Sequence, residues 1–84
     1  MVYEVRLKRR AIKSLQSLPE PYYTRIKAAV YALAQNPRPS GCKKLKGRDA
    51  YRIRVADYRI IYEISDRILV VEVVDLGHRK DIYE

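Results

Sequence analysis

One cysteine, one histidine, three glycines and no long hydrophobic run make this a sequence defined first by scarcity, and each scarcity closes off a class of chemistry. With Cys42 alone, neither an intrachain disulfide nor a cysteine-based zinc site can form, and a single thiol fits a reducing compartment. His78 is the only imidazole and no acid stands in a telling position beside it, so no Ser-His-Asp or Cys-His arrangement can be argued. One histidine with scattered carboxylates is also poor material for a metal site. Gly41, Gly47 and Gly77 do not form a phosphate-cradling loop motif. The opening MVYEVRLKRR has no uncharged apolar run of signal-peptide length, and the most apolar stretch, Ile68 to Leu76, is interrupted by Glu72 and Asp75. The expectation is a soluble, non-exported, cytoplasmic protein with no membrane partner and no cofactor.

Acidic residues are also short. Ten Asp and Glu stand against 18 Lys and Arg, a formal net charge of +8 on 84 residues. A surplus that large suggests a polyanionic partner, while a basic surface tuned for solubility accounts for the charge alone equally well. The length allows a single domain spanning residues 1–84, with one modest core. Charged residues at 33% against hydrophobic residues at 48% mark a folded chain rather than a disordered one.

Periodicity supplies the elements. Val2 to Leu7 alternates as VYEVRL, which suits an opening strand. From Ala11 the period becomes helical, with Ile12, Leu15 and Leu18 recurring until Pro19 ends the run. Glu20 to Gln35 repeats the pattern with Tyr22, Ile26, Ala29, Val30 and Leu33 on one stripe; Pro21 suits its first turn and Pro37 closes the far end. Pro37 to Asp49, PRPSGCKKLKGRD, reads as a loop carrying Lys43, Lys44, Lys46 and Arg48. Three strand-like runs follow, Tyr51 to Val55, Tyr58 to Ile64 and Ile68 to Leu76, the last apolar on both faces as a central strand would be. The order β-α-α-β-β-β predicts an α+β domain in which a helical hairpin packs on one face of a small, mainly antiparallel sheet and leaves the other face open.

Within that sheet YRIRVADYRIIY, Tyr51 to Tyr62, poses a question of geometry. A two-residue turn at Ala56 and Asp57 sets Arg54 directly opposite Arg59, with Arg52 on the same face, and like charges opposite each other cost some tenths of a kcal/mol up to about 1. Tyr51, Ile53, Val55, Tyr58, Ile60 and Tyr62 then meet the helices, and the three arginines point to the uncovered side. Ordinary solvation or pairing with Glu63, Glu72 or Asp75 explains any one of them. Three together suit a face that presents guanidinium forks to phosphate oxygens. His78, Arg79 and Tyr83 follow the last strand and can fold back near Arg59, placing arginines, an imidazole and a phenol around one anionic pocket. The chemistry left open is metal-free RNA cleavage, in which the 2′-hydroxyl attacks the adjacent phosphate, cations stabilise the added charge and an acid protonates the departing 5′-oxygen. DNA, lacking the hydroxyl, is spared.

YRIRVADYRIIYEI, the terminal GHRKDIY and the element order resemble, over essentially the whole chain, the RelE/ParE superfamily of toxin-antitoxin toxins, and its RelE branch in particular. The resemblance implies an mRNA interferase that cuts messenger RNA in the A site of the 70S ribosome. It implies that Arg52 and Arg54 bind or polarise RNA phosphates at positions commonly lysine, and that Arg59 stabilises the scissile phosphate. Arg79 falls on the tail arginine that stabilises the transition state or serves as acid, and Tyr83 on the C-terminal tyrosine that stacks on a base or helps deprotonate the 2′-hydroxyl. Lys43, Lys44, Lys46, Arg48 and His78 are expected to bind RNA; Lys8, Arg9 and Arg10, at the start of the first helix, read as a solvated run or as ribosomal RNA or antitoxin contacts. The implied partner is a RelB-like antitoxin, acidic and partly disordered, that masks the basic face. With arginine at both 52 and 54 only electrostatic roles survive there, because arginine does not give up its proton in proteins. A ParE-like poison of DNA gyrase and a non-catalytic RNA-binding module are the competing readings.

Overall fold

The alternation of Val5 and Leu7 with Glu4 and Arg6 makes a strand with one wet face, β1 (Glu4–Leu7), in the computed structural model, which describes residues 2–82. Helix α1 (Arg9–Gln16) follows, then α2 (Tyr22–Ala32). α1 begins two residues before the expected Ala11, and its buried positions are Ala11 and Leu15, with Leu18 beyond it packed on the same core. Ile12, expected on that stripe, is 41% exposed. One residue along a helix is a rotation of about 100°, and burying Ala11 carries Ile12 round towards water. α2 buries Ile26 and Val30, and Leu33 at its end is buried too. The Glu20 carboxylate accepts hydrogen bonds from the backbone N–H and the hydroxyl of Thr24 at 3.0 and 2.8 Å, satisfying one of the helix's orphan donors.

Four further strands complete one sheet: β2 (Lys43–Lys44), β3 (Tyr51–Val55), β4 (Tyr58–Ser65) and β5 (Val70–His78). The spatial order is β1-β5-β4-β3-β2, with β1 parallel to β5 and every other pair antiparallel. β5 is interior, as its apolar composition requires, although it runs two residues further than Leu76. The segment from Pro37 to Asp49 is not wholly a loop, because Lys43 and Lys44 pair with Arg52 and Tyr51 as a short edge strand. Between Ile61 and Tyr62 the register with β5 shifts by one residue, a bulge at Val74.

Tyr51, Ile53, Val55, Tyr58, Ile60 and Tyr62 all join the core beneath the helices. Tyr62 is fully buried and its hydroxyl donates to the Pro37 carbonyl at 2.7 Å, tying the start of the long segment to the sheet. A surface clamp acts beside it: the Arg38 fork donates to both Asp66 oxygens at 3.3 and 3.0 Å, and Tyr3 donates to the same carboxylate at 2.6 Å. Arg38 first, then Tyr3, holds the Asp66 carboxyl below its ordinary value. The small contribution of this exposed group is therefore complete above about pH 4 and fades as pH falls through the depressed value.

The face away from the helices is not open at its centre. Leu45 and Ala50, joined by a bond from the Leu45 N–H to the Ala50 carbonyl at 2.9 Å, fold onto Ile61 and Val74, and Ile82 joins them from the tail. A second small core thus interrupts the basic face. For the first core, Tyr62→Phe strands the Pro37 carbonyl without its donor and is expected to lower stability by about 1–2 kcal/mol, read as a fall in the urea midpoint at unchanged slope.

Candidate active site

The site is built where the β3–β4 hairpin meets the end of β5. Val55 pairs with Tyr58 across a two-residue turn whose first residue, Ala56, has φ of 54°, the left-handed geometry that such hairpin turns need. Arg54 then lies opposite Arg59, as the sequence requires. On the other side of β4, Arg59 lies opposite Gly77, where β5 has no side chain. Ile82 uses that space: a Cβ built on Gly77 would stand 3.1 and 3.2 Å from two of its carbons.

Docking of Ile82 brings the tail back over the sheet. The Arg79 N–H donates to the Asp57 carbonyl at 2.8 Å, and the N–H groups of Asp81 and Ile82 donate to the His78 carbonyl at 2.8 and 3.2 Å. Arg59 donates to the Ile82 carbonyl at 3.1 Å. Arg54, Arg59 and Arg79 consequently line one pocket of about 140 Å³ with Ala56, Asp57 and Tyr58. That volume lies below the range of sites for whole drug-sized ligands. Three arginines lining so small a space suit one anionic group.

Two expected members are elsewhere. Arg52 is on the predicted face but only 6% exposed, set between Lys43 and Ile61 by the ladder, and it does not line this pocket. It borders a different pocket, with Arg54 and the segment Pro39, Ser40 and Gly41. His78 lies opposite Tyr58, one residue on from Gly77, and alternation turns it to the helix side. Its ring meets Tyr58 edge-on at 5.6 Å, Tyr58 in turn lies 5.1 Å from Tyr22, and its Nδ1 accepts from the Lys80 N–H at 3.2 Å. The imidazole therefore does not join the arginines.

Tyr83 lies outside the described residues. Lys43, Lys44 and Lys46 gather at a separate surface pocket with Leu45, and Arg48 borders another cavity on the sheet face. Among the described residues no group of three His, Cys, Asp or Glu side chains could hold a metal ion. The sequence reading overlooked Gly77 and Ile82, although a glycine within an apolar strand signals a close backbone approach.

The arginine pair makes a stability test. Arg54→Gln removes a like-charge cross-strand contact and is expected to raise stability by some tenths of a kcal/mol up to about 1 while weakening phosphate binding. A lower urea midpoint for this variant would show that the two guanidinium groups do not oppose each other.

With this geometry in view, the likeness to known proteins is specific. Residues 5–83 match the family described as "ParE toxin of type II toxin-antitoxin system, parDE". A putative toxin RelE1 of Methanocaldococcus jannaschii is 31% identical over all of this chain and 98% of its own length. The mRNA interferase toxin RelE of Escherichia coli K12 is 29% identical over 95% of this chain and 86% of its own. Among solved structures, the archaeal RelE-RelB complex from Pyrococcus horikoshii superposes with a TM-score of 0.84 at 33% identity, covering 98% of this chain and 100% of that one. The chain belongs to the ParE family of type II toxin-antitoxin toxins, within the RelE/ParE superfamily.

Proposed function

We propose that this toxin is an endoribonuclease that cuts messenger RNA in the ribosomal A site and is silenced by a RelB-like antitoxin. The observation that carries the reading is the small pocket in which Arg54, Arg59 and Arg79 converge. Its curated relatives include proteins named mRNA interferases, and its structural relatives include toxins solved with RelB.

The reaction needs no metal in this reading. The 2′-hydroxyl of the nucleotide before the cut gives its proton to a base as its oxygen attacks phosphorus, the new P–O2′ bond forms as the P–O5′ bond breaks, and an acid returns a proton to the departing 5′-oxygen. Charge accumulates on the phosphoryl oxygens in the transition state. Arg59, fixed by the ladder and by the Ile82 carbonyl, and Arg79, fixed through its backbone by Asp57, are placed to stabilise that charge, with Arg54 adding a third cation. Arginine cannot serve as the base. The ribosome supplies orientation of the messenger and the remainder of the catalytic environment.

The deciding experiment maps cuts in a messenger by primer extension, with and without programmed 70S ribosomes. Arg59→Ala and Arg79→Ala are each expected to fold and to lose roughly 100-fold or more in cleavage, the usual loss of one preorganised donor. His78→Ala is expected to lose less than about ten-fold, because loss of a general acid or base costs roughly 10²–10⁴; its pH–rate profile should keep the wild-type shape. Messenger left intact under all conditions, with gyrase-dependent DNA breaks in its place, would give the protein to the gyrase-poison reading.

A further inference from the structure

A second cavity of about 480 Å³ lies on the same sheet face. Its walls come from distant parts of the chain: Lys8 before α1, Arg10 in its first turn, Arg48 ahead of β3, and Asp81 in the tail. The nearly buried Ile61 and Ile82 and the partly buried Val74 form an aliphatic floor, the edge of the second core that borders the cavity. The cavity adjoins the arginine pocket, because Ile61 is two residues from Arg59 on the same face of β4, roughly 7 Å along the strand. Ile82 lines this cavity while its carbonyl receives the Arg59 hydrogen bond.

The mixture of lining groups identifies the ligand class. A site for phosphate alone has no use for a carboxylate or for three aliphatic side chains. A site for an apolar ligand has no use for three cations. A nucleotide needs all of them: cations for the phosphate, an apolar floor for the flat of the base, and a carboxylate to accept from an exocyclic amine. Asp75, also in the wall, is already engaged, with one oxygen accepting from the Leu76 N–H at 2.9 Å and the other 3.3 Å from Arg10. Its contact holds Arg10 at the rim. Asp81 supplies the carboxylate for the base. The volume falls within the range of small-molecule sites and accommodates one nucleotide.

We propose that this cavity is a nucleotide subsite, holding the nucleotide next to the scissile phosphate on the same RNA strand, with its phosphate on Lys8 and Arg48 and its base edge on Asp81. The subsite rests on the nuclease reading above. It discriminates by the base edge: cytosine, adenine and guanine carry an amine that can donate to the carboxylate, and uracil does not.

The test measures binding of fluorescent 2′-O-methyl hexanucleotides, all cytidine or all uridine, which lack the attacking hydroxyl, by anisotropy across a salt series. The wild-type protein is expected to bind the cytidine strand roughly five-fold more tightly, the low end for a base-edge contact, and Asp81→Ala to bring the two strands level. Lys8→Gln combined with Arg48→Gln should lower the slope of log affinity against log salt by about 0.7, the contribution of one phosphate on a single strand. All three residues are exposed, so circular dichroism should show the variants folded. A wild-type slope in the Lys8 and Arg48 variant overturns the subsite, as does a cytidine preference that survives in Asp81→Ala. Arg59→Ala separates the two levels: if it lowers the slope, the arginine pocket still binds RNA and only the subsite is lost. If it too leaves the slope unchanged, the nuclease reading falls with the subsite.

Discussion

The pairing of Arg59 with Gly77 is the constraint on which the site depends. Even a methyl group at position 77 would stand on the open face 3.1 and 3.2 Å from two carbons of Ile82, which would have to give way by a few tenths of an ångström. With hydrogen there, Ile82 completes the small core of Leu45, Ala50 and Ile61, and its carbonyl meets the Arg59 guanidinium. That contact orients the central cation of the pocket. Folding and function are joined at this point, because the apolar burial of one tail residue positions Arg79 three residues earlier.

The electrostatics of the sheet run the other way. Arg54 faces Arg59 at one end of the open face, and at the other Glu63 faces Glu72, with Arg6 of β1 beside Glu72. Both like-charge pairs cost stability, and Ala56 adds a left-handed residue that glycine would adopt more easily. The result is a face polarised along β4, cationic at the hairpin turn and acidic towards Ser65. On the nuclease reading, a single-stranded polyanion would be drawn to the hairpin end and repelled from the acidic one.

Most of the fold was legible because strand alternation and helical stripes are set by burial. The hairpin register of Tyr51 to Tyr62 followed from a turn of two residues, and with it the opposition of Arg54 and Arg59. Ile12 was misplaced because a short helix can rotate by one residue and still bury an apolar side chain. The burial of Arg52 and the face of His78 are set by contacts that a local pattern does not show. No local pattern announces that Leu45 and Ala50 from one segment and Ile82 from the tail converge on Ile61, or that Arg52 is buried beside Ile61 in the ladder. His78 was assigned by its proximity in sequence to Arg79, whereas a strand reverses its face at every residue.

The displacement of His78 bears on how such a pocket could work. An imidazole is the side chain whose ordinary pKa is best matched to proton transfer near neutrality, and here it packs on the far face against Tyr58. Among the described residues no imidazole lines the pocket. Its arginines can stabilise negative charge, but arginine does not give up its proton in proteins. A pocket so composed can stabilise a charged transition state strongly but moves protons poorly. On the nuclease reading, the described residues of the pocket would therefore bind RNA in free solution better than they cut it. On the same reading, the proton transfer that the described residues lack and the in-line placement of the 2′-hydroxyl come from the decoding site, which ties the toxin's activity to the ribosome.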